Sequence, residues 1–446
     1  MSEQSLEIAT GAALIVEAAP PALKRRYIAA ATIGNALEFY DFVTYTFFSI
    51  QIGHAFFPSH SGYLSLMLSL ATFGVGFIPR PIGGILIGLY ADRAGRRPAM
   101  MLSFTLMGLA IVGLALIPTY AQIGIAAPIL AVVARMIQGF SLGGEVGPTT
   151  AYLMEAAAPR RRGFAISWQG ASQGISATIG GLVGLGLSAA LTPAVLDAYG
   201  WRIAFLLGAV TLPFGLWIRR NLPETLHAPE PAKPDAGERS RLGLALDSRR
   251  IIGLSVAVLA AGTIGTYVMN YMTTFAQHTL HMSPTVSFLA SSLASFSGVG
   301  AGLFGGWLSD RIGRRPVMNW PALGAVLLIL PVFFWITQTR TTLALLAGTM
   351  TLSTLSGISG GAFYAAMAES LPKAIRGSAF GTTYAVSIAT FGGTTQLVIT
   401  WLIQVTGSAM APAWYLFSAA CVGLVARWMI LESAPVKTQT PAEAFS

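Results

Sequence analysis

Long apolar runs decide what this chain can become. Between Tyr27 and Leu431 the sequence is filled by twelve successive apolar stretches, each of roughly the 20 residues that an α-helix needs to cross the hydrocarbon core of a bilayer. Of the 446 residues, 54% are hydrophobic, 10% are charged and 49 are glycine, which is far from a soluble average. Inside lipid the backbone must satisfy its own hydrogen bonds, so runs of this length fold as helices. The expectation is an all-α membrane protein of twelve transmembrane helices with no large extramembrane domain.

The chain also carries a second copy of its own plan. Ala91-Asp-Arg-Ala-Gly-Arg-Arg-Pro98 returns 218 residues later as Ser309-Asp-Arg-Ile-Gly-Arg-Arg-Pro316, and Glu155, Arg162 and Gly163 return as Glu369, Arg376 and Gly377 at an offset of 214. Two matches in phase mark a duplicated half. The organisation expected is a tail (1–26), a six-helix half (27–220), a linker (221–250) with prolines at 223, 229, 231 and 234, a second six-helix half (251–431) and a tail (432–446). Each octet, lying between two apolar runs, reads as a short basic loop.

The charge distribution orients these runs. Of the 27 Lys and Arg, Arg80 and Arg135 fall within apolar runs and Arg202 and Arg340 at the opposite ends, which places the other 23 on one side. Cytoplasmic loops collect positive charge, so both termini are expected in the cytoplasm of a bacterial cell, with the helices in its inner membrane. The net charge of +9 is thereby explained without nucleic acid. The acidic residues Glu3, Glu7 and Glu17 argue against a signal peptide, and Lys24-Arg25-Arg26 anchors the start of the first helix. Cys421 is the single cysteine, which excludes disulfides and thiolate metal sites. His278 and His281 have no acidic residue nearby in sequence, so neither a metal nor a bound cofactor is expected.

Polar residues at membrane depth are costly and therefore informative. The first run (28–52) holds Glu38 and Asp41, three residues apart on neighbouring helix faces; the second (63–90) holds Arg80. The fourth (125–155) carries a stripe at 135, 138, 142 and 145, with Arg135, Gln138 and Glu145. The fifth (164–190) brings Gln169 and Gln173, and the seventh (251–277) Asn270 and Tyr271. The third (99–118), sixth (202–218), ninth (317–337) and twelfth (411–431) are nearly bare and are expected to face lipid. The polar ones, including the eighth (285–308), tenth (342–368) and eleventh (377–405), are expected to surround an aqueous cavity. By this reading every ionisable group at membrane depth lies in the first half.

Gly88 to Arg97 and Gly306 to Arg315 resemble the Gly-x-x-x-Asp-Arg-x-Gly-Arg-Arg loop signature of the major facilitator superfamily. Arg135-x-x-Gln138-Gly139 looks like its helix 4 signature, whose arginine is often tied to proton coupling. Gly34-Asn-x-x-Glu-x-x-Asp-Phe42 with Arg80-Pro81-x-Gly83 is similar to the metabolite:proton symporter branch. Gly139-Phe-Ser-x-Gly-x-Glu145, Ser167-Trp-Gln169 with Gln173, and His54-x-Phe-Phe-Pro58 look most like its citrate and tricarballylate transporters. The resemblance runs from about Ile28 to Leu431. It implies the major facilitator fold, two six-helix halves with one central site open alternately to either side. The octets themselves read either as a cytoplasmic gate at Asp92, Arg93, Arg96, Asp310, Arg311 and Arg314, with Glu155–Arg162 and Glu369–Arg376 as companion pairs, or as plain basic loops and solvated helix ends.

Two readings of the buried groups stand side by side. Glu38 and Asp41 either accept the coupled proton or hold Arg80 and Arg135 in a structural network. The arginines either grip substrate carboxylates with their two-donor fork or serve that same network. Gln138, Gln169, Gln173, Asn270 and Tyr271 either meet substrate oxygens or bridge helices, and Glu145 reads as structural. The function expected is proton-coupled uptake of a small organic anion, a di- or tricarboxylate such as citrate or tricarballylate, by a protein acting as a monomer whose other partners are membrane lipid and the coupling ion H+. The alternative is symport of a zwitterion or another acid, such as a betaine, shikimate or 2-oxoglutarate. A membrane sensor is a remote rival. No nucleophile stands beside a histidine base, so the residues do not read as an enzyme.

Overall fold

The computed structural model describes residues 25–94, 96–143, 153, 157–210, 212–213, 243, 246–372 and 375–438. Among these there is no β-strand, and eight helices are long and apolar enough to cross a membrane. Shorter helical stretches fall in the remaining apolar runs. In chain order the segments are α1 (Arg25–Phe47, continued as Ser49–Phe56), α2 (Gly62–Val75 and Arg80–Ala94), α3 (Arg96–Leu116), α4 (Ala126–Leu142), α5 (Arg162–Ala190) and α6 (Trp201–Ala209). The second half follows as α7 (Arg249–Thr274), α8 (Pro284–Ile312), α9 (Arg314–Thr339), α10 (Thr342–Ser370), α11 (Arg376–Ser387 and Gly393–Thr406) and α12 (Ala411–Met429), with a single turn, α13 (Pro435–Thr438), after it. Most of the 221–250 linker, Glu145 and Glu155 lie outside the described residues, as do the side chains of Glu38, Asp92 and Arg96.

Two expectations need correction. The second octet is not a loop: α8 runs through to Ile312 and α9 begins at Arg314, with Gly313 alone between them at φ +105°. Glycine occupies that region without the steric penalty of a Cβ, so one residue reverses the chain and the octet's Asp and Arg side chains sit on helix ends. The second run is not continuous either. It opens at residues 76–79, where Gly76, Phe77 and Ile78 make tighter i to i−3 bonds and Pro79 precedes the restart at Arg80.

This opening and α4 meet backbone to backbone. A Cβ on Gly139 would overlap the Gly76 carbonyl, one on Gly83 the Phe140 carbonyl, and one on Gly143 the Arg80 carbonyl. Without lipid-excluded hydrophobic driving force, such small-residue seams are what lets membrane helices pack closely. Here the seam sets Arg80 and Arg135 side by side.

The halves touch along α5 and α8, where Gly181 faces Ser292 and Gly184 faces Phe288. Away from the basic end, Ser49 of α1 shares a 2.9 Å hydrogen bond with Thr274 of α7, and the Phe48 and Phe288 rings meet at 5.1 Å.

Candidate functional site

A cavity of about 310 Å³ lies between the halves, within the range that holds small ligands. Phe42, Phe73 and Gln173 wall it from the first half, and Tyr267, Asn270, Tyr364 and Tyr384 from the second. Gln173 Nε2 donates to the Tyr384 hydroxyl at 2.9 Å across the halves. The wall also takes in Ala322, Ala325 and Ile329 of α9 and Leu416, Ala420 and Arg427 of α12. The bare ninth and twelfth runs therefore do not serve lipid alone. Gly262 and Gly265 of α7 and Gly357 and Gly360 of α10 line it as well, and a Cβ at Gly262 or Gly360 would meet nothing within 4 Å.

Directly behind the wall on the first-half side lies a charged cluster. Asp41 is 1% exposed and Arg135 fully buried, with Asp41 Oδ2 3.9 Å from Arg135 Nη1. That Nη1 also donates to Gln138 Oε1. The Arg135 guanidinium stands 4.4 Å from the centre of the Phe42 ring and 4.5 Å from Tyr45, while Arg80 lies 4.5 Å from Phe42 and 4.1 Å from Phe77. Phe42 thus has a guanidinium beside it twice over, an attraction of order 1–2 kcal/mol each where water is excluded. The hydrogen-bonding capacity is left largely open: both Asp41 oxygens, Arg80 Nε and Nη2, and Arg135 Nε and Nη2 are buried without a hydrogen-bond partner. Among the described residues two guanidinium groups stand against one carboxylate here, an excess of positive charge one aromatic layer from the cavity, where the low dielectric weakens screening.

The other residues of the expected site divide. Gln173 and Asn270 line the cavity. Gln169 instead reaches Asn35 Oδ1 of α1 at 3.5 Å, and Asn35 donates to Ser172 at 2.6 Å, a network that ties α1 to α5. Tyr271 turns into the core of the second half and accepts from Thr400 Oγ1 at 2.8 Å. The aromatic layer of Phe42, Phe73 and Phe77 carries no signal in the sequence, since aromatic residues in an apolar run serve lipid, core and cavity alike.

At the basic end, Asp310 Oδ1 and Oδ2 accept from the Gly163 and Phe164 backbone N–H groups, 2.8 and 2.9 Å away, in the unsatisfied first turn of α5. Arg314 holds this carboxylate through Nη1 at 2.7 Å and grips Glu369 with its fork, Nε to Oε2 at 3.1 Å and Nη2 to Oε1 at 2.8 Å. Ser433 Oγ adds a bond to Glu369 at 2.9 Å. Glu432 accepts from the backbone N–H groups of Arg314 and Arg315 at 2.8 and 3.1 Å. Around this knot, Arg376 bonds the Leu371 carbonyl at 3.0 Å, Arg311 stacks over Trp307 at 4.0 Å, Arg93 is exposed and Arg162 is half-buried.

A two-half helical bundle, a cavity between the halves and a charged knot joining them at one end define a membrane carrier. The chain matches the Major Facilitator Superfamily over residues 31–393 and belongs to that family. It is 35% identical to a citrate-proton symporter of Klebsiella pneumoniae over 92% of each chain, and 37% identical to a citrate-proton symporter of Salmonella typhi over 90% of this chain and 92% of that one. It is 30% identical to a proline/betaine transporter of Escherichia coli, over 94% of this chain and 86% of that one. Its fold is similar to the inward open xylose transporter XylE from E. coli, with a TM-score of 0.71, 19% identity, and 94% of this chain and 99% of that one covered.

Proposed function

We propose that this carrier takes up a small organic anion with two or three carboxylates, citrate or tricarballylate in kind, together with protons, by alternating the access of its central cavity. The observation that carries the reading is the buried cluster of Arg80, Arg135 and Asp41, whose surplus positive charge and unmet hydrogen-bonding capacity sit behind Phe42. The 35–37% identity to citrate-proton symporters supports the same substrate class. In this reading Asp41, with Glu38 one turn away, accepts the proton; the arginines favour the anion; Gln173 and Asn270 meet its oxygens; and the Asp310–Arg314–Glu369 knot closes the cytoplasmic side. The segments 27–220 and 251–431 move as the two halves of a monomer.

Uptake into liposomes by the purified protein tests this. Citrate and tricarballylate are expected to accumulate under an inward proton gradient and betaine not to. Arg135→Lys keeps the charge but loses the planar fork and its stacking against Phe42, so the apparent affinity for citrate should fall at least about tenfold, roughly 1.4 kcal/mol. Accumulation of betaine in place of citrate would refute the anion reading.

The basic end is proposed to face the cytoplasm of a bacterial inner membrane, with both termini inside, because Arg162, Arg249, Arg311 and Arg314 gather there. In a Cys421→Ala background, Ser61→Cys should react with an impermeant thiol reagent added to intact cells and Ser240→Cys should not. Equal labelling would overturn this orientation.

A further inference from the structure

Arg427 sits near the end of α12, where a basic side chain ordinarily extends outward to the lipid headgroups. It points inward instead. Its neighbours Val422, Val425 and Trp428 take the exposed face of the helix, while Arg427 lines the same cavity as Gln173 and Asn270. Among the described residues its guanidinium makes no hydrogen bond, ion pair or ring contact, and Nε is buried with no partner. The cavity lining contributed by α9 and α12, apart from Arg427 itself, is Ala322, Ala325, Ile329, Leu416 and Ala420, none of which carries a side-chain acceptor. No Asp or Glu lines the cavity among the described residues.

Arg427 is half-buried, and a guanidinium that lines a cavity with no protein partner is open to an anion, since withdrawing such a charge from water unpaired costs several kcal/mol. Its depth can be read from α12 and α7. A Cβ on Gly423 would stand 3.7 Å from Arg427 Nη1 and press on Ala261, so the guanidinium is near the level of Ala261. Asn270 lies nine residues further along α7, about 13 Å away along the axis at about 1.5 Å per residue. That is too far for one small tricarboxylate to engage both.

We propose that Arg427 is a second anion-binding position, one that holds a substrate carboxylate in the part of the cavity nearer the basic end, on its way to or from the central position. This rests on the anion-carrier reading. The second half thus supplies a cation of its own, although by sequence it holds none at membrane depth. Arg427 counts there among the basic residues of the cytoplasmic side, since nothing in a helix-end arginine says whether it turns in or out.

Citrate counterflow exchange in right-side-out and everted membrane vesicles tests it, because only everted vesicles present the basic end to added citrate. For Arg427→Gln the exchange KM should rise at least about fivefold in everted vesicles and less than twofold in right-side-out ones. Arg427→Lys, which restores the point charge, should recover most of the loss. A KM that is unchanged on both faces, or raised equally on both, overturns the proposal while leaving anion transport standing. No exchange of citrate or tricarballylate by the wild-type protein in either preparation would overturn both readings together.

Discussion

Asp41→Asn is expected to abolish proton-driven accumulation of substrate while leaving exchange. Asp41 is the carboxylate whose side chain is placed among the two buried arginines, 3.9 Å from Arg135 Nη1, with neither oxygen hydrogen-bonded. A group left open in this way can take a proton without breaking a bond. Asparagine keeps the size and removes the titration. Each coupled proton supplies 1.36 kcal/mol per unit of pH gradient, a factor of about ten in accumulation, so a variant that loses the coupled proton should fall from that ratio to unity. Counterflow exchange, which needs no net proton movement, should persist. The structural alternative predicts something different. Removing the Asp41 carboxylate from beside two buried guanidinium groups then costs about 3–5 kcal/mol, and protein level and exchange fall together. Accumulation with wild-type pH dependence would move the proton pathway away from Asp41.

The other large effect is expected at the basic end, where Arg314 is buried between Asp310 and Glu369. Arg314→Gln strands two carboxylates there and should destabilise the closed basic end by about 3–5 kcal/mol. A cysteine placed at the cavity wall, Ala420→Cys in a Cys421→Ala background, should then label faster from the basic side. Arg314→Gln combined with Glu369→Gln should cost less than the two single changes added, since each partner's charge is a burden only when the other is missing. Unchanged labelling in the single variant would show that the knot is not the closure. Glu432 secures the same corner over a wide pH range. Partial burial disfavours its charge, but the backbone N–H groups of Ala434, Arg314, Arg315 and Ser433 outweigh this and hold its carboxyl below the usual range. A depressed carboxyl contributes fully above its unfolded value, near 4.3, and loses that contribution only as the pH falls through the folded one. Its contribution is therefore constant across neutral pH.

The helical spans were legible because a bilayer demands a minimum apolar length and the runs meet it. The duplicated octets were legible as a repeat but not as geometry: Gly313 turns the chain in one residue, so what reads as a loop is two helix ends carrying Asp310 and Arg314. The opening of α2 was written in Gly76 and Pro79, yet a glycine within an apolar run signals close packing as readily as a break. Asp41, Arg80 and Arg135 stood out because charge within lipid is costly. Their neighbours Phe42, Phe73 and Phe77 did not, because the sequence gives an aromatic residue no label for cavity, core or lipid. Tyr271 and Gln169 show the opposite limit: polarity places a residue away from lipid, but only its partners, Thr400 and Asn35, tell which interior surface it serves.

The seam that locks α2 onto α4 has an evolutionary reading. Its contacts are carbonyl oxygens against missing Cβ atoms at Gly139, Gly83 and Gly143, so no side-chain repacking can rescue a change there. Among the positions facing the cavity from α7, α10 and α12 are several small residues, and a Cβ added at Gly262 or Gly360 would meet nothing within 4 Å. Mutational drift should therefore run at two speeds: the charged block stays fixed as an engine, while the opposite wall is free to be recut for a different cargo. A library confined to Val258, Ala261, Ser353, Ser356 and Ala420 would be the economical place to look for altered selectivity with the drive intact.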